Sequence, residues 1–287
     1  MTTLGQIVSQ VRQRLAGVGL VTDRVTALTQ PVDASVLTLP VEDSNVGAGL
    51  VEVGMEQMRV KSATGADGTL VLWPFGRGYN GTVAAPHPAG AEVAVAPRWA
   101  ASTIAAEVNG VLTELYPSLY AVKSVELPSS DTGPLVLPAE AVGVVAVFLQ
   151  DLSGDWVPTD EWRWEPSSGQ SLWVRWGAPS GQVRVVFAAR PVLFDLAGSV
   201  SQEFVAVTGL PDRVADLLTL GVAYRLASLV DLAGNAQLGA AARADMKEQT
   251  LGSSASRLLF AQFQARVEQE RRVLLQEHPV RPHRERS

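Results

Sequence analysis

The chain has 287 residues, 23 Lys plus Arg against 29 Asp plus Glu, and no cysteine, so its formal net charge is −6 and its pI about 5.2. Without Cys there is no disulfide frame, thiolate nucleophile, iron–sulfur cluster or Cys-based zinc site. The acidic balance counts against a generic nucleic-acid binder, and 47% hydrophobic residues are too many for a wholly disordered chain. No apolar run approaches the ~18 residues of a membrane span. The polar start Met1–Gln10 lacks the basic-then-apolar order of a signal peptide, so synthesis and use in a cytosol, or export by a signal-free route, are expected.

Leu4, Ile7, Val8, Val11 and Leu15 recur at three- and four-residue spacing and predict an amphipathic helix that Gly17 and Gly19 end. From about Pro31 to Pro97 the texture is β. Short Val-rich strands at 36–39, 49–53, 56–62, 69–73 and 92–96, separated by Gly or Asp turns such as Asp67-Gly68, predict a small barrel or sandwich. Helix returns over about Ala100–Tyr116, with Ile104, Val108, Val111, Leu112 and Leu115 as its stripe and Pro117 as its stop. A second β segment runs from about Val122 to Ala188. Residues 142–149 are nearly all apolar and predict a strand buried on both faces, whereas 162–164, 172–176 and 183–187 alternate as half-buried strands do.

The last third is helical. Pro211-Asp212 opens a helix with the stripe Val214, Leu217, Leu218, Val222, Leu226, Leu229 and Val230, which Gly234-Asn235 is expected to break. A further helical stretch over 237–277 carries Leu258, Leu259, Phe263, Val267 and Leu274 at helical spacing, with Gly252-Ser253-Ser254 as a point of interruption. Unbroken, it would extend ~60 Å, so part of it is expected to pack on a neighbouring subunit. The predicted class is α+β. A helical core of residues 1–28, 98–120 and 205–278 carries two inserted antiparallel β domains, barrel-like over 29–97 and a Trp-rich sandwich over 121–204. A flexible C-terminal arm spans 279–287.

Chemistry is scarce. Gly76-Arg77-Gly78-Tyr79-Asn80-Gly81 fits G-x-G-x-x-G after a strand, but a dinucleotide site needs a helix directly after the glycines. Here Pro86, Pro88 and Gly90 follow, and a structured β loop is the expectation. The three histidines, His87, His278 and His283, have no metalloprotease-type spacing, and there is no G-x-S-x-G elbow or Walker A loop. Asp151, Asp155, Asp160 and Glu161 could gather around a cation, though a solvated hairpin loop suits them better. No residue is singled out as catalytic, no cofactor is expected, and the chain reads as a non-enzyme. Five of the seven Trp fall in the second β segment: Trp156, Trp162, Trp164, Trp173 and Trp176. Core filling or a subunit interface is the expected use, with Trp162, Trp164, Trp173 and Trp176 as interface aromatics; a sugar-stacking platform is the alternative. From Arg257 to Ser287 there are seven Arg and four Glu, so this end carries +3 and leaves −9 for residues 1–256. Such an end could order itself on an acidic partner or near DNA.

One stretch is more specific. Glu52-Val53-Gly54-Met55-Glu56-Gln57-Met58-Arg59-Val60, then Arg77-Gly78-Tyr79-Asn80-Gly81-Thr82 and Ala84-Ala85-Pro86-His87-Pro88-Ala89-Gly90-Ala91, resembles a β module that recurs in structural proteins of tailed bacteriophages. The module covers about 40 residues. With a short helix before it and a helical body with a charged arm after it, the chain resembles the head-to-tail adaptor, or neck connector, of long-tailed phages infecting actinobacteria. Sparse Lys beside abundant Ala, Val, Gly and Arg fits a high-GC genome.

The resemblance implies a virion protein at the head–tail junction, assembled in the host cytoplasm into a homo-oligomeric ring, commonly of twelve subunits. Such a ring sits below the portal protein and passes DNA, without sequence-specific binding, towards the stopper and tail. It implies no membrane partner. Arg77, Gly78, Gly81, Thr82, His87 and Gly90 would form the module's loop, and Pro279, Val280, Arg281, Pro282, His283, Arg284, Glu285 and Arg286 the portal-docking arm. Another neck or minor tail structural protein is the nearest alternative.

Overall fold

Thr3 opens the first helix, α1 (Leu4–Gly17), with a capping box: its hydroxyl accepts from the Gln6 N–H at 3.3 Å, and its own N–H donates to Gln6 Oε1 at 2.9 Å. The predicted stripe Leu4, Ile7, Val8, Val11 and Leu15 is the buried face. The computed structural model describes residues 1–19, 24–43, 45–64, 68–129, 133–175, 181–196, 201–241 and 249–280, and only the backbone of 231–241 and 249–254. Thirteen strands and five helices are assigned among these residues, and every strand pairing is antiparallel. The chain divides into two compact units. One holds Met1–Val111, Phe194–Phe204 and Ala215–Phe263; the other holds Leu112–Leu193, Val205–Val214 and Gln264–Ser287.

The first unit contains a six-stranded sheet in the order β1-β6-β3-β4-β5-β2. Its strands are β1 (Arg24–Ala27), β2 (Thr38–Pro40), β3 (Gly49–Val53), β4 (Glu56–Thr64), β5 (Thr69–Leu72) and β6 (Glu92–Val95). Val51, Val53, Met58, Val60, Leu70, Leu72 and Val93 meet Leu28, Val32, Leu39, Val41 and Val46 in its core. The expected barrel is not closed. Among the described residues, the edge strands β1 and β2 are linked just past their ends, by the bridge between Leu28 and Val41. β2 is three residues long and ends on Pro40, which has no N–H to extend a ladder.

Helices α2 (Ala101–Leu115), α4 (Ala215–Ala241) and α5 (Gln249–Glu277) contribute to this unit. α1 lies on α4 through the Arg14–Asp216 ion pair and the Thr219–Gln10 hydrogen bond at 3.2 Å. At Gly221 the helices come so close that an added Cβ would stand 2.8 Å from Phe263 Cε2 and 2.9 Å from Val111 Cγ1. Two expected breaks do not occur. α4 runs through Gly234-Asn235, and α5 runs through Gly252-Ser253-Ser254. A glycine costs a helix interior only about 1 kcal/mol relative to Ala, which helices of 27 and 29 residues absorb. Residues 237–241 therefore close α4 instead of opening the last helix, and α5 is ~43 Å long.

The second unit carries a four-stranded sheet, β10-β9-β13-β7, and a three-stranded sheet, β11-β12-β8. These are β7 (Ala121–Pro128), β8 (Leu135–Val136), β9 (Ala141–Gln150), β10 (Trp156–Thr159), β11 (Trp162–Glu165), β12 (Ser171–Val174) and β13 (Gln182–Ala189). The two sheets share one apolar cluster, with Val144, Val147, Val183, Val185 and Phe187 from the larger and Leu135 and Leu172 from the smaller. β9 is buried mainly in its first half; Phe148, Leu149 and Gln150 are half-exposed. Arg213 grips α5 through Glu270 at 2.9 Å and Glu277 at 3.0 Å. A short helix, α3 (Phe204–Thr208), and the strand β1 were not anticipated.

Candidate functional site

The segment 52–91 folds around two glutamates set either side of one hairpin turn. β3 and β4 pair with Glu52 opposite Gln57 and Val53 opposite Glu56, leaving a two-residue loop, Gly54-Met55. Gly54 has φ +61°, the sign a type II′ turn demands at its first central position. Both glutamates are buried, at 1% and 2% exposure. A buried carboxylate is tolerated only when charge and hydrogen bonds replace its water, and each of these two recruits a different set of partners.

Glu52 lies between Val51 and Val53, both members of the sheet core. Alternation along the strand sends its side chain to the opposite face, where it reaches two helices. Arg12 of α1 donates to Glu52 Oε1, and the Ala101 N–H at the start of α2 donates to Oε2 at 2.8 Å. The carboxylate thus caps an orphan N–H at the positive end of a helix while pairing with a cation of another. Arg12 also donates to the Trp99 carbonyl at 2.9 Å.

Glu56 gathers the second half of the motif. Arg77 donates from Nε to Oε1 at 2.7 Å and from Nη2 to Oε2 at 2.9 Å. The Gly78 and Ala85 N–H groups add bonds of 3.0 Å each, and His87 Nε2 lies 2.8 Å from Oε2. Burial pushes this carboxyl up, but the hydrogen bonds from Arg77, His87, Ala85 and Gly78 outweigh it and hold the pKa at about 2. Since Glu56 is ionised, His87 Nε2 carries the proton it shares. The remaining guanidinium donors of Arg77 reach the carbonyls of Asp33, Val36 and Ala85, so all five N–H groups are used. The backbone of His87 closes the other side, exchanging two 2.9 Å bonds with Val32.

Gln57 stitches the intervening loop. Its N–H donates to Thr82 Oγ1 at 3.0 Å, its carbonyl accepts from the Tyr79 N–H at 2.8 Å, and its side-chain oxygen accepts from Asn80 Nδ2 at 2.7 Å. The glycines of the G-x-G-x-x-G pattern have separate duties. A Cβ on Gly76 would meet Arg59 O at 2.7 Å and Trp73 N and O at 2.9 Å each. Gly78 combines φ +59° with a Cβ position 2.8 Å from Thr82 O, and Gly81 has φ +79° in open space. No helix starts directly after them; the next element is β6, so the pyrophosphate cradle that the pattern can signal is not built. Gly90, at φ +78°, turns the chain so that its N–H reaches Leu28 O at 2.7 Å.

Of the predicted loop residues, Arg77, Gly78 and His87 converge on Glu56, Thr82 binds Gln57, and Gly81 and Gly90 supply turns. The hub itself, Glu56, and its counterpart Glu52 were absent from the predicted site. Both stand in the motif, and an acidic residue between apolar strand positions was the available signal. The other candidates are scattered. Trp162 and Trp164 pack against the apolar cluster of the second unit, with buried indole N–H groups that meet no acceptor. Trp173, on the other face of its strand, is 45% exposed, and Trp176 lies outside the described residues. Asp151 closes the β9–β10 turn by accepting from Ser153 N and Asp155 N at 2.9 Å each. Among the described residues, no three His, Asp or Glu side chains are grouped to hold a metal ion. Of the arm, Pro279 and Val280 are described. Val280 packs on Gly143, where an added Cβ would stand 2.7 Å from its Cγ1, and Tyr120 Oη donates to the His278 carbonyl at 2.6 Å. Arg281, Pro282, His283, Arg284, Glu285 and Arg286 lie outside the described residues. No described helix is long and apolar enough to cross a membrane.

No protein-family model matches the chain. No curated protein matches it either. One similar solved structure is described as the neck of a native GTA particle computed with C12 symmetry; the likeness covers 42% of this chain and 67% of that one, at 18% identity and a TM-score of 0.21. A likeness at that level carries no argument about function.

Proposed function

We propose that this chain is a non-catalytic structural protein of a tailed-phage-type virion neck: a head-to-tail adaptor that assembles as a ring below a portal protein, continues the DNA channel and receives the stopper. One observation carries the reading. The two halves of the phage-type motif, 21 to 31 residues apart, close on one buried carboxylate, Glu56, which takes up Arg77 and His87 together with the Gly78 and Ala85 N–H groups. A module so built holds shape, which suits a structural part.

The acidic excess of residues 1–256 suits a channel through which DNA slides, because basic walls would bind phosphate. The basic C-terminal residues suit docking by an arm that orders on its partner. The test is reconstitution of the full chain with the portal assembly of the same particle, followed by electron microscopy and native mass spectrometry. The expected outcome is a ring of chains seated on the portal, lost when residues 281–287 are removed and the fold is retained. Absence of any portal complex for the full chain would overturn the adaptor reading; normal docking by the truncated chain would overturn the role of the arm.

A further inference from the structure

The loop between β5 and Gly76 presents an aromatic side chain to water with no internal use for it. Phe75 is 92% exposed, beside Trp73 at 45%. The loop is tightly braced. Trp73 N donates to Arg59 O at 3.1 Å, Gly76 N to Trp73 O at 2.8 Å, and Arg59 N to Gly76 O at 2.8 Å. Gly76 sits too close to Arg59 and Trp73 to carry a side chain. Next to it, β4 turns Arg59 and Lys61 outward. Lys61 Nζ lies 5.6 Å from the Trp73 ring centre and the Arg59 guanidinium 5.4 Å from that of Tyr79. Among the described residues, neither cation has a carboxylate partner. A rigid aromatic anchor beside an exposed, weakly hydrated guanidinium, that of Arg59, has the composition of an interface hot spot, and its low side-chain freedom lowers the entropy cost of binding.

We propose that the Trp73–Phe75 loop, with Arg59 and Lys61, is the surface by which one copy of this chain docks on a different, acidic surface of the next copy. The proposal rests on the ring reading above and deepens it. Charge complementarity selects the occupant. The patch is cationic on a chain whose net charge is −6, so the chain's own remaining surface is its electrostatic complement. A two-fold contact of the patch with itself would oppose Arg59 and Lys61 to their own copies. A head-to-tail contact avoids this, and head-to-tail contacts are the kind that close into rings.

The test uses the full chain with p-benzoylphenylalanine in place of Phe75, together with Phe75→Ser and Lys61→Glu followed by sedimentation. Photolysis is expected to give covalent dimers whose second site maps outside the patch. Each substitution is expected to weaken self-association by at least about tenfold, with circular dichroism unchanged because both side chains are exposed. A crosslink joining the patch to itself would overturn the proposal, as would crosslinks only to another protein. Rings that form as well with Phe75→Ser as without it would overturn this surface and leave the ring reading standing. A chain that remains monomeric with and without portal, and yields no crosslink, would overturn both.

Discussion

Arg77 meets Glu56 through two parallel hydrogen bonds, Nε to Oε1 at 2.7 Å and Nη2 to Oε2 at 2.9 Å, with side-chain exposures of 7% and 1%. Truncating one member of such a buried pair leaves the other charge without its counter-ion, at a cost of about 3–5 kcal/mol. Arg77→Ala is therefore expected to destabilise the first unit by that amount and to accelerate amide exchange across residues 76–90. Arg77→Lys should rescue little, because one ammonium cannot reproduce five fixed donors. Peptide-level hydrogen exchange and urea unfolding check both; exchange unchanged at 76–90 would refute the keystone role.

The same carboxylate sets a pH dependence. Glu56 titrates at about 2 in the fold against an ordinary value of 4.5. The folded group is the stronger acid, so its contribution is fully present above about pH 4.5 and is lost as pH falls through 2. By linkage that contribution is on the order of 3 kcal/mol. Comparing wild type with Glu56→Gln by urea unfolding at intervals from pH 6 to pH 2 should show a stability gap that narrows below pH 4.5 and nearly vanishes near pH 2. A gap independent of pH would remove the ionised carboxylate from the account.

The glycine pattern separates close approach from backbone sign. Gly76→Ala and Gly78→Ala place a methyl group within 3 Å of backbone atoms that cannot yield, and each should cost more than about 2 kcal/mol. Gly81 has only its φ of +79° to protect. Gly81→Ala should cost about 1 kcal/mol, and Gly81→Asn less. Equal costs at the three sites, measured by thermal unfolding, would contradict the division.

Much of this was legible in the sequence, and the limits have physical causes. The α1 stripe and the β3–β4 hairpin announced themselves because periodicity and turn chemistry are local. The loop reading of 76–81 followed from the prolines behind it. The five-bond convergence on Glu56 is not local: its partners lie 21 to 31 residues on, and no periodicity joins them. β1 is four residues with only Thr26 buried, too short to stand out. Gly234-Asn235 looked like a stop because a local breaker is read without the length of helix that absorbs its cost.

Glu52 joins the sheet to two helices, and its two functions can be separated. Glu52→Gln keeps an oxygen for the Ala101 N–H but loses the charge opposed to Arg12; Glu52→Ala loses both. The cap alone is worth about 1 kcal/mol, so the alanine variant should be the less stable by roughly that much. Exchange at the first turn of α2 should rise in Glu52→Ala and stay low in Glu52→Gln. Equal protection in the two would show that the Ala101 bond is incidental.

Gly221 tests the helical packing by reversing the usual sign. In an exposed helix, Gly→Ala gains about 1 kcal/mol. Here the new methyl would lie 2.8 Å from the Phe263 ring and within 2.9 and 3.2 Å of the two Val111 methyl groups, so α4 would be wedged from both α5 and α2. Overpacking of a filled site costs about 1–3 kcal/mol, which outweighs the propensity gain. Gly221→Ala should therefore destabilise, and Phe263→Leu, which removes ring atoms on one side of the clash, should recover part of the loss in the double variant while being destabilising alone. That non-additivity, read from a double-mutant cycle, is specific to contact; strictly additive effects would mean that the three helices do not meet at Gly221.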